Sequence, residues 1–165
     1  MRATARLTAA DARLATTGAW LASGSMLTLF SALASALVIR RGIGGDWAAL
    51  ALPGVVWLNT AVLAASGVAV EMRRWGAAAF LGAAFLAGQA WAWQTLGAGL
   101  ASGPAAAFFF VLTGVHGAHV AGGVAALGWN AWRATAGSAV AVRIYWHTLG
   151  ALWMVVLCLL LWAKS

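Results

Sequence analysis

Long apolar runs dominate the chain, and short stretches rich in arginine, glycine or proline separate them. Within each run the apolar residues are continuous, which argues against a β-barrel, because barrel strands alternate apolar and polar side chains. Each run is about 20 residues long, the length that an α-helix needs to cross the hydrocarbon layer. The pattern predicts five transmembrane helices, approximately at residues 19–39, 52–70, 77–96, 105–131 and 144–162.

Composition indicates a chain that lies almost entirely within the membrane. Of its 165 residues, 64% are apolar and 8% are charged, whereas about a quarter of the residues in a water-soluble domain are charged. Five spans use roughly 100 residues and leave only short loops and a tail. We therefore predict an all-α membrane protein, a bundle of five transmembrane helices that forms a single membrane domain over residues 1–165.

Basic residues are distributed unevenly between the two sides of this predicted bundle. Seven arginines lie in the N-terminal tail and in the loops after the second and fourth spans, whereas the opposite side carries three basic residues. Because cytoplasmic loops are enriched in Lys and Arg, this predicts a cytoplasmic N-terminus and a periplasmic C-terminus. Basic loops beside anionic lipid also account for the net charge of +7, so no nucleic-acid partner is needed to explain it.

Side chains that carry catalysis or ion transport are scarce in this sequence. Its three acidic residues, Asp11, Asp46 and Glu71, all fall outside the middle of the predicted spans, where ion-coupled transporters place a carboxylate. The sequence contains neither a glycine-rich phosphate loop nor a cysteine-rich metal motif, and Cys158 is its only cysteine. We predict that this chain has no catalytic residue and does not pump ions alone.

A small set of polar side chains falls inside the predicted spans: His116, His119, His147, Asn59 and Gln89. His116 and His119 are three residues apart and share one helix face. Together with His147 they could ligate a metal, one of them could pair with His147 across a haem, or they could relay protons. Alternatively, each imidazole hydrogen-bonds across a helix interface. The lack of acidic or cysteine partners favours this structural role, so we expect no metal or cofactor site and place these side chains, with Glu71, in a polar network.

Small residues recur every fourth position in the fourth predicted span. Gly114, Ala118, Gly122 and Ala126 form this stripe, and it lies roughly opposite His116 on the helix. Because small side chains let two helix backbones approach closely in lipid, the stripe predicts a helix-packing surface. The fourth helix is then packed on two sides, as an inner helix is.

Several motifs resemble subunit III of the haem–copper terminal oxidases, the cytochrome c oxidase subunit III family. The segment FFFVLTGVHGAHV, at Phe108–Val120, resembles the phenylalanine-rich Thr-Gly-x-His-Gly-x-His-Val segment of that family. Tyr145–His147 resembles the start of its last helix. Leu-Asn-Thr at 58–60, followed by Ser-Gly-Val at 66–68, is similar to a further family pattern, and Gln89 matches a glutamine common in the family. These matches occur in family order through spans two to five.

The resemblance implies the short, five-helix bacterial form of subunit III. Such a chain is a non-catalytic part of a cytochrome c or quinol oxidase in the bacterial inner membrane. It packs on the catalytic subunit I, in a complex with subunit II and other subunits, binds lipid, and supports proton uptake and stability. Haem and copper then belong to the partner subunits, and phospholipid is the ligand expected for this chain. The alternatives are an accessory membrane protein of a nitric oxide reductase system and an independent histidine-based metal- or haem-binding membrane protein.

The sequence also departs from the family at acidic positions. Ser25–Met26 occupy the region of span one where the family often has a glutamate, and Thr148–Gly150 include no aspartate where its last helix commonly has one. The polar contacts that these acids support in relatives are therefore not expected here. We expect Glu71 to pair locally with Arg73, Arg74 or a cytoplasmic partner.

Overall fold

Five α-helices and no β-strand make up the part of the chain that the computed structural model describes. That part comprises residues 2–43, 45–97, 99 and 102–164, with side chains described from Ala10 onward except at Ala136. The helices are α1 (Arg2–Ile43), α2 (Val55–Glu71), α3 (Trp75–Thr95), α4 (Pro104–Arg133) and α5 (Ala136–Lys164). The prediction of an all-α fold is confirmed.

Three stretches of helix are long and apolar enough to cross a membrane. They are Ala10–Ile43 in α1, Pro104–Arg133, which is α4, and Gly137–Lys164 in α5. The apolar α2 is shorter, at 17 residues, which corresponds to about 25 Å of helix against a hydrocarbon layer of about 30 Å. Helix lengths and composition therefore make the chain a multi-pass membrane protein.

Two helices extend far beyond the apolar runs that predicted them. α1 has 42 residues, about 63 Å, because alanine, leucine and arginine in its N-terminal half all favour helix. α5 begins well before residue 144, and a capping box fixes its start. The Ser138 amide donates to Thr135 Oγ1 at 3.2 Å, and the Thr135 amide donates to Ser138 Oγ at 2.9 Å. A charged residue ends an apolar run without ending a helix, so α1 and α5 extend beyond the spans predicted at residues 19–39 and 144–162.

Helices α2, α3, α4 and α5 pack as a ring in which each contacts its neighbours, and α1 lies outside this ring, mainly against α5. The α1–α5 contact is close at the N-terminus of α5, where a Cβ added to Gly137 would lie 2.5 Å from Ala12 Cα. Further along, Thr148 Oγ1 donates to Ser23 Oγ at 3.1 Å. A hydroxyl pair thus links these two helices.

The tightest packing between α3, α4 and α5 surrounds the indole of Trp146. A Cβ at Gly82 would lie 2.7 Å from Trp146 Cη2, and one at Gly123 would lie 2.8 Å from its Cζ3. In the predicted stripe on α4, by contrast, Ala118 and Gly122 are exposed. The glycine of α4 that packs tightly against a neighbouring helix is therefore Gly123, next to the stripe.

A hydrogen bond connects the loop after α1 to the C-terminal end of α5, and a cation–π contact connects the end of α1 to the same region. Trp47 Nε1 donates to the Ala163 carbonyl at 3.0 Å, and Arg41 stacks 4.1 Å from the centre of the Trp162 ring. Arg40 donates to both carboxylate oxygens of Asp46, at 2.8 and 2.7 Å. These bonds from the guanidinium hold the pKa of Asp46 below its ordinary value, so the carboxylate stays charged at neutral pH.

Candidate functional site

Aromatic side chains from three helices surround the imidazole of His116. Its ring centre lies 6.2 Å from that of Phe30 on α1, 5.8 Å from that of Phe85 on α3, and 5.2 Å from that of Trp153 on α5. The Phe30 and Phe85 rings meet the imidazole nearly edge-on, at 77° and 81°, a favoured aromatic geometry. The His116 side chain is completely buried, so α4 contributes a ring to the aromatic core.

Six buried polar atoms in and beside this core lack hydrogen-bond partners among the described residues. They are both ring nitrogens of His116, both side-chain polar atoms of Gln89, the Asn59 amide nitrogen and the Trp146 indole nitrogen. A buried polar group without a partner costs on the order of 1–3 kcal/mol. Among the described residues, the His116 imidazole therefore contacts its neighbours through its ring and makes no hydrogen bond across a helix interface.

Asn59 on α2 and Gln89 on α3 lie at the interface between these two helices. Both side chains are buried, and a Cβ at Gly88 would collide with the Asn59 amide. One residue along α2, Thr60 Oγ1 donates to its own helix at Val56 O and accepts a hydrogen bond of 2.9 Å from Trp153 Nε1. One of the hydrogen bonds between α2 and α5 therefore uses Thr60, a residue absent from the predicted network.

His119 makes its hydrogen bond within its own helix. Its Nδ1 lies 2.7 Å from the Val115 carbonyl, and its ring centre lies 6.1 Å from that of Phe30. The link from His119 to a neighbouring helix runs through its backbone instead, because Tyr145 Oη donates to the His119 carbonyl at 3.1 Å. The hydrogen bond of Nδ1 thus stays within α4, and the interhelical bond in this place is made by the backbone.

A charged cluster joins the C-terminal end of α2 to the N-terminal part of α5. Arg143 donates from Nε and Nη2 to the two carboxylate oxygens of Glu71, at 3.2 and 2.6 Å. His147 Nε2 lies 2.6 Å from Glu71 Oε1 and must carry the proton of this bond, since a carboxylate only accepts. We call these three residues the Glu71 cluster. All three side chains are about half-exposed, between 42% and 49%.

The Glu71 cluster corrects the predicted partner of the carboxylate. Among the described residues the partners of its carboxylate are Arg143 and His147, and neither Arg73 nor Arg74, although both follow directly in the chain. Sequence does contain a signal for this pairing, because Arg143 and His147 are four residues apart and therefore share a helix face. The Glu71 oxygens already accept three hydrogen bonds from α5. The carboxylate therefore links α2 to α5 and is not free to react.

The three histidines occupy separate places. His116 lies in the aromatic core, His119 bonds to its own helix, and His147 belongs to the Glu71 cluster. No group of three or more His, Cys, Asp or Glu side chains within the described ranges is close enough to hold a metal ion. The hypothesis that these histidines form a common ligand set therefore has no support from their positions.

Three curated proteins are similar to this chain over about four fifths of its length. Cytochrome c oxidase subunit 3 of Thermostichus vulcanus is 30% identical over 162 residues, covering 80% of this chain and 79% of the relative. The subunit 3 of a Synechocystis species is 30% identical and covers 79% of this chain and 68% of the relative. A probable cytochrome c oxidase subunit 3 of Nocardia farcinica is 32% identical, with 82% and 80% covered. No family model matches the sequence. From these relatives, in agreement with the motifs in spans two to five, the chain belongs to the cytochrome c oxidase subunit 3 family.

Proposed function

We propose that this chain is the non-catalytic subunit III of a haem–copper respiratory oxidase in a bacterial inner membrane, packed on subunit I alongside subunit II. Its similarity to three oxidase subunits over about four fifths of its length carries this proposal. The exposed apolar side chains fit a subunit that meets lipid and partner helices on its outer surface. They include Leu21 at 69%, Phe80 at 73% and Trp129 at 62% exposure.

We propose that all five helices cross the bilayer, with the N-terminus in the cytoplasm. Although α2 is short, it ends at Glu71, and the charged cluster there fits the interface between lipid and water. The basic residues in the turns after α2 and α4 fit the cytoplasmic side of this arrangement. In this topology α1, about 63 Å long, projects beyond the membrane into the cytoplasm at its N-terminal end.

Cysteine labelling tests this topology, since Cys158 is the only cysteine of the chain. In a Cys158→Ser background, Ser102→Cys in the loop before α4 is expected to react with a membrane-impermeant maleimide in spheroplasts with an intact inner membrane. Ala134→Cys in the turn between α4 and α5 is expected to react only after the membrane is opened. Reaction of both positions in intact spheroplasts would contradict the five-span arrangement.

We propose that the subunit supports proton uptake and stability of the catalytic subunit, without binding haem or copper itself, and that phospholipid is its ligand. The test compares oxidase purified with and without this chain, measuring oxygen consumption over many turnovers. The expected result is a similar initial rate followed by faster loss of activity in the complex that lacks the chain. Identical decay curves would contradict the supporting role and leave family membership intact.

A further inference from the structure

An open groove runs along the bundle between α2 and α5, which are the least closely packed neighbours in the ring of helices. We call it the α2–α5 groove. Its floor includes the buried side chains of Leu63, Trp146 and Trp153. Glu71 and His147 also line it, so one end of the groove lies at the Glu71 cluster.

Small residues form both walls of this groove. Ala64 and Gly67 contribute from α2, and Gly150 and Ala151 contribute from α5. A Cβ added to Gly150 would meet nothing within 4 Å, and one added to Gly67 would lie 3.8 Å from its nearest neighbour, His147 Cε1. Packing inside this chain therefore requires neither glycine. Small side chains let a further helix backbone approach closely in lipid, so the walls are suited to a helix from outside the bundle.

The α2–α5 groove is long enough for such a helix to contact both walls. From Thr60 to Glu71 it follows about 16 Å of α2, which is about three helical turns. On α5 it extends from Trp146 to Met154, which is about two turns. Met154 is 49% exposed, so its side chain is accessible to a partner at the rim of the groove.

Net positive charge lies at the Glu71 end of the groove. Arg143 uses two of its five N–H donors in the bonds to Glu71, so three are left for another acceptor. Arg73 and Arg74 follow directly after α2 and are exposed. Three arginines against one glutamate leave a charge that complements a carboxylate on the incoming helix, and a guanidinium pairs especially well with a carboxylate.

We propose that the α2–α5 groove binds a transmembrane helix of subunit I, and that an acidic residue near the cytoplasmic end of that helix pairs with Arg143. This rests on the proposed function, which places the chain in an oxidase and Glu71 at the cytoplasmic side. Glu71 is a positioning residue, because its two oxygens hold the fork of Arg143 at the end of the groove. It also competes for that fork, so the removal of Glu71 and the removal of Arg143 have opposite expected effects.

Site-specific photo-cross-linking of the whole complex in its native membranes identifies the occupant. The photoreactive residue p-benzoylphenylalanine replaces Met154 at the rim of the groove. In the control it replaces Phe80, which is 73% exposed on α3. The Met154 variant is expected to cross-link to subunit I, at a transmembrane helix with Asp or Glu near its cytoplasmic end. The Phe80 variant is expected to give severalfold less of this product.

Three substitutions test the groove and the charge through the amount of subunit I that co-purifies after a fixed detergent wash. Gly150→Leu fills the groove and is expected to lower this amount severalfold. Arg143→Gln is expected to lower it as well, whereas Glu71→Gln is expected to maintain or raise it, because donors of Arg143 become free for the partner. If Arg143 only linked α2 to α5, both substitutions in the cluster would lose subunit I equally.

Two matched variants control for nonspecific effects. Gly128→Leu introduces the same side chain on α4, where an added Cβ also meets nothing within 4 Å. Arg133→Gln removes an exposed arginine outside the groove, one that stacks 5.3 Å from the centre of the Trp129 ring. Both are expected to retain subunit I at the parent level.

The outcomes separate this proposal from the proposed function. Unchanged recovery in Gly150→Leu would overturn the docking groove, as would a Met154 cross-link only to lipid, to another subunit or to a second copy of this chain. Equal losses in Arg143→Gln and Glu71→Gln, or a cross-linked helix with no acidic residue at that end, would overturn the role of Arg143. In each of these cases the parent chain still purifies with the oxidase, whereas failure to do so would overturn the proposed function itself.

Discussion

The aromatic core around His116 and the Glu71 cluster both contain a histidine, but the two imidazoles differ in burial and in hydrogen bonding. In the core, rings enclose His116 at 5.2–6.2 Å between centres, and both of its nitrogens lack a partner among the described residues. In the cluster, His147 is hydrogen-bonded to Glu71. The carboxylate oxygens of Glu71 also accept two hydrogen bonds from Arg143. The contacts of the aromatic core depend on the shape of its side chains, whereas those of the Glu71 cluster depend on charge and hydrogen bonding.

This difference follows from where each region lies. Helices in lipid gain little from moving apolar groups between lipid and protein, so van der Waals contact decides how the core holds together. At the half-exposed end of α2, water screens the ion pairs, and they add little to stability. The stability of the core should therefore tolerate a change of polarity but not of volume, whereas changes in the cluster should have only small effects on stability.

The largest expected effect is from removing a ring of the core. Phe85 is completely buried and meets both His116 and Trp153. Phe85→Ala is expected to destabilise the subunit by on the order of 2 kcal/mol, because the cavity term remains although lipid is as apolar as the core. Phe80→Ala, at a site that is 73% exposed on the same helix, is the control and should leave the thermal midpoint in detergent unchanged. Equal midpoints for the two variants would contradict the account.

A smaller loss is expected from overfilling the core. Gly123→Ala places a methyl group 2.8 Å from the Trp146 ring, and overpacking by a single methyl group is expected to cost about 1 kcal/mol, at the lower end of the usual range. Gly128→Ala adds the same methyl group to the same helix in open space. The midpoint of thermal unfolding should fall for the first variant and stay constant or rise for the second. A higher thermal midpoint for both variants would contradict this, because it would show that the Trp146 ring can move aside without cost.

A gain in stability is expected beside the Glu71 cluster. Arg73 follows the C-cap of α2 and has the left-handed conformation, with φ of 56°. The Arg73 amide donates to Val70 O and the Arg74 amide donates to Ala69 O, each at 2.9 Å. This Schellman turn suits glycine at the position of Arg73, so Arg73→Gly should stabilise the chain by about 1 kcal/mol. The variant should also show that the turn tolerates loss of the side chain. A lower thermal midpoint would contradict that.

The smallest effect is expected from replacing the core histidine. His116→Phe keeps a flat ring between Phe30, Phe85 and Trp153 and removes two unpartnered nitrogens. Because the lost polarity offsets the added volume, the change in unfolding free energy should stay below about 1 kcal/mol. Thermal unfolding of the purified complex measures this. A loss comparable to that of Phe85→Ala would show that the imidazole nitrogens make essential bonds.

The long continuous apolar runs were enough to predict all five helices, because each helix needs such a run to face lipid or other helices. They did not predict where the helices end. Arg143 precedes the apolar run of the fifth span, yet α5 begins seven residues earlier, at Ala136, with a cap at Thr135. The end of an apolar run marks a limit set by lipid, whereas a helix continues until its terminal backbone groups are capped.

Side-chain partners were harder to predict than helices. The sequence singled out His116, His147 and Glu71, but the pairing of Glu71 with Arg143 depends on how α2 and α5 meet in space. Similarly, the packing of Trp146 against Gly82 and Gly123 involves three helices at once. Such contacts are non-local, and spacing along one helix leaves them undetermined.

Affinity purification of the tagged chain from its native membranes, in mild detergent, tests the central claim most directly. Mass spectrometry would identify the proteins that accompany it, and a reduced-minus-oxidised spectrum would detect haem. We predict recovery together with a haem–copper subunit I, with the haem signal lost when the chain is separated from its partners. Recovery without any such subunit, or haem that stays with the isolated chain, would contradict the account.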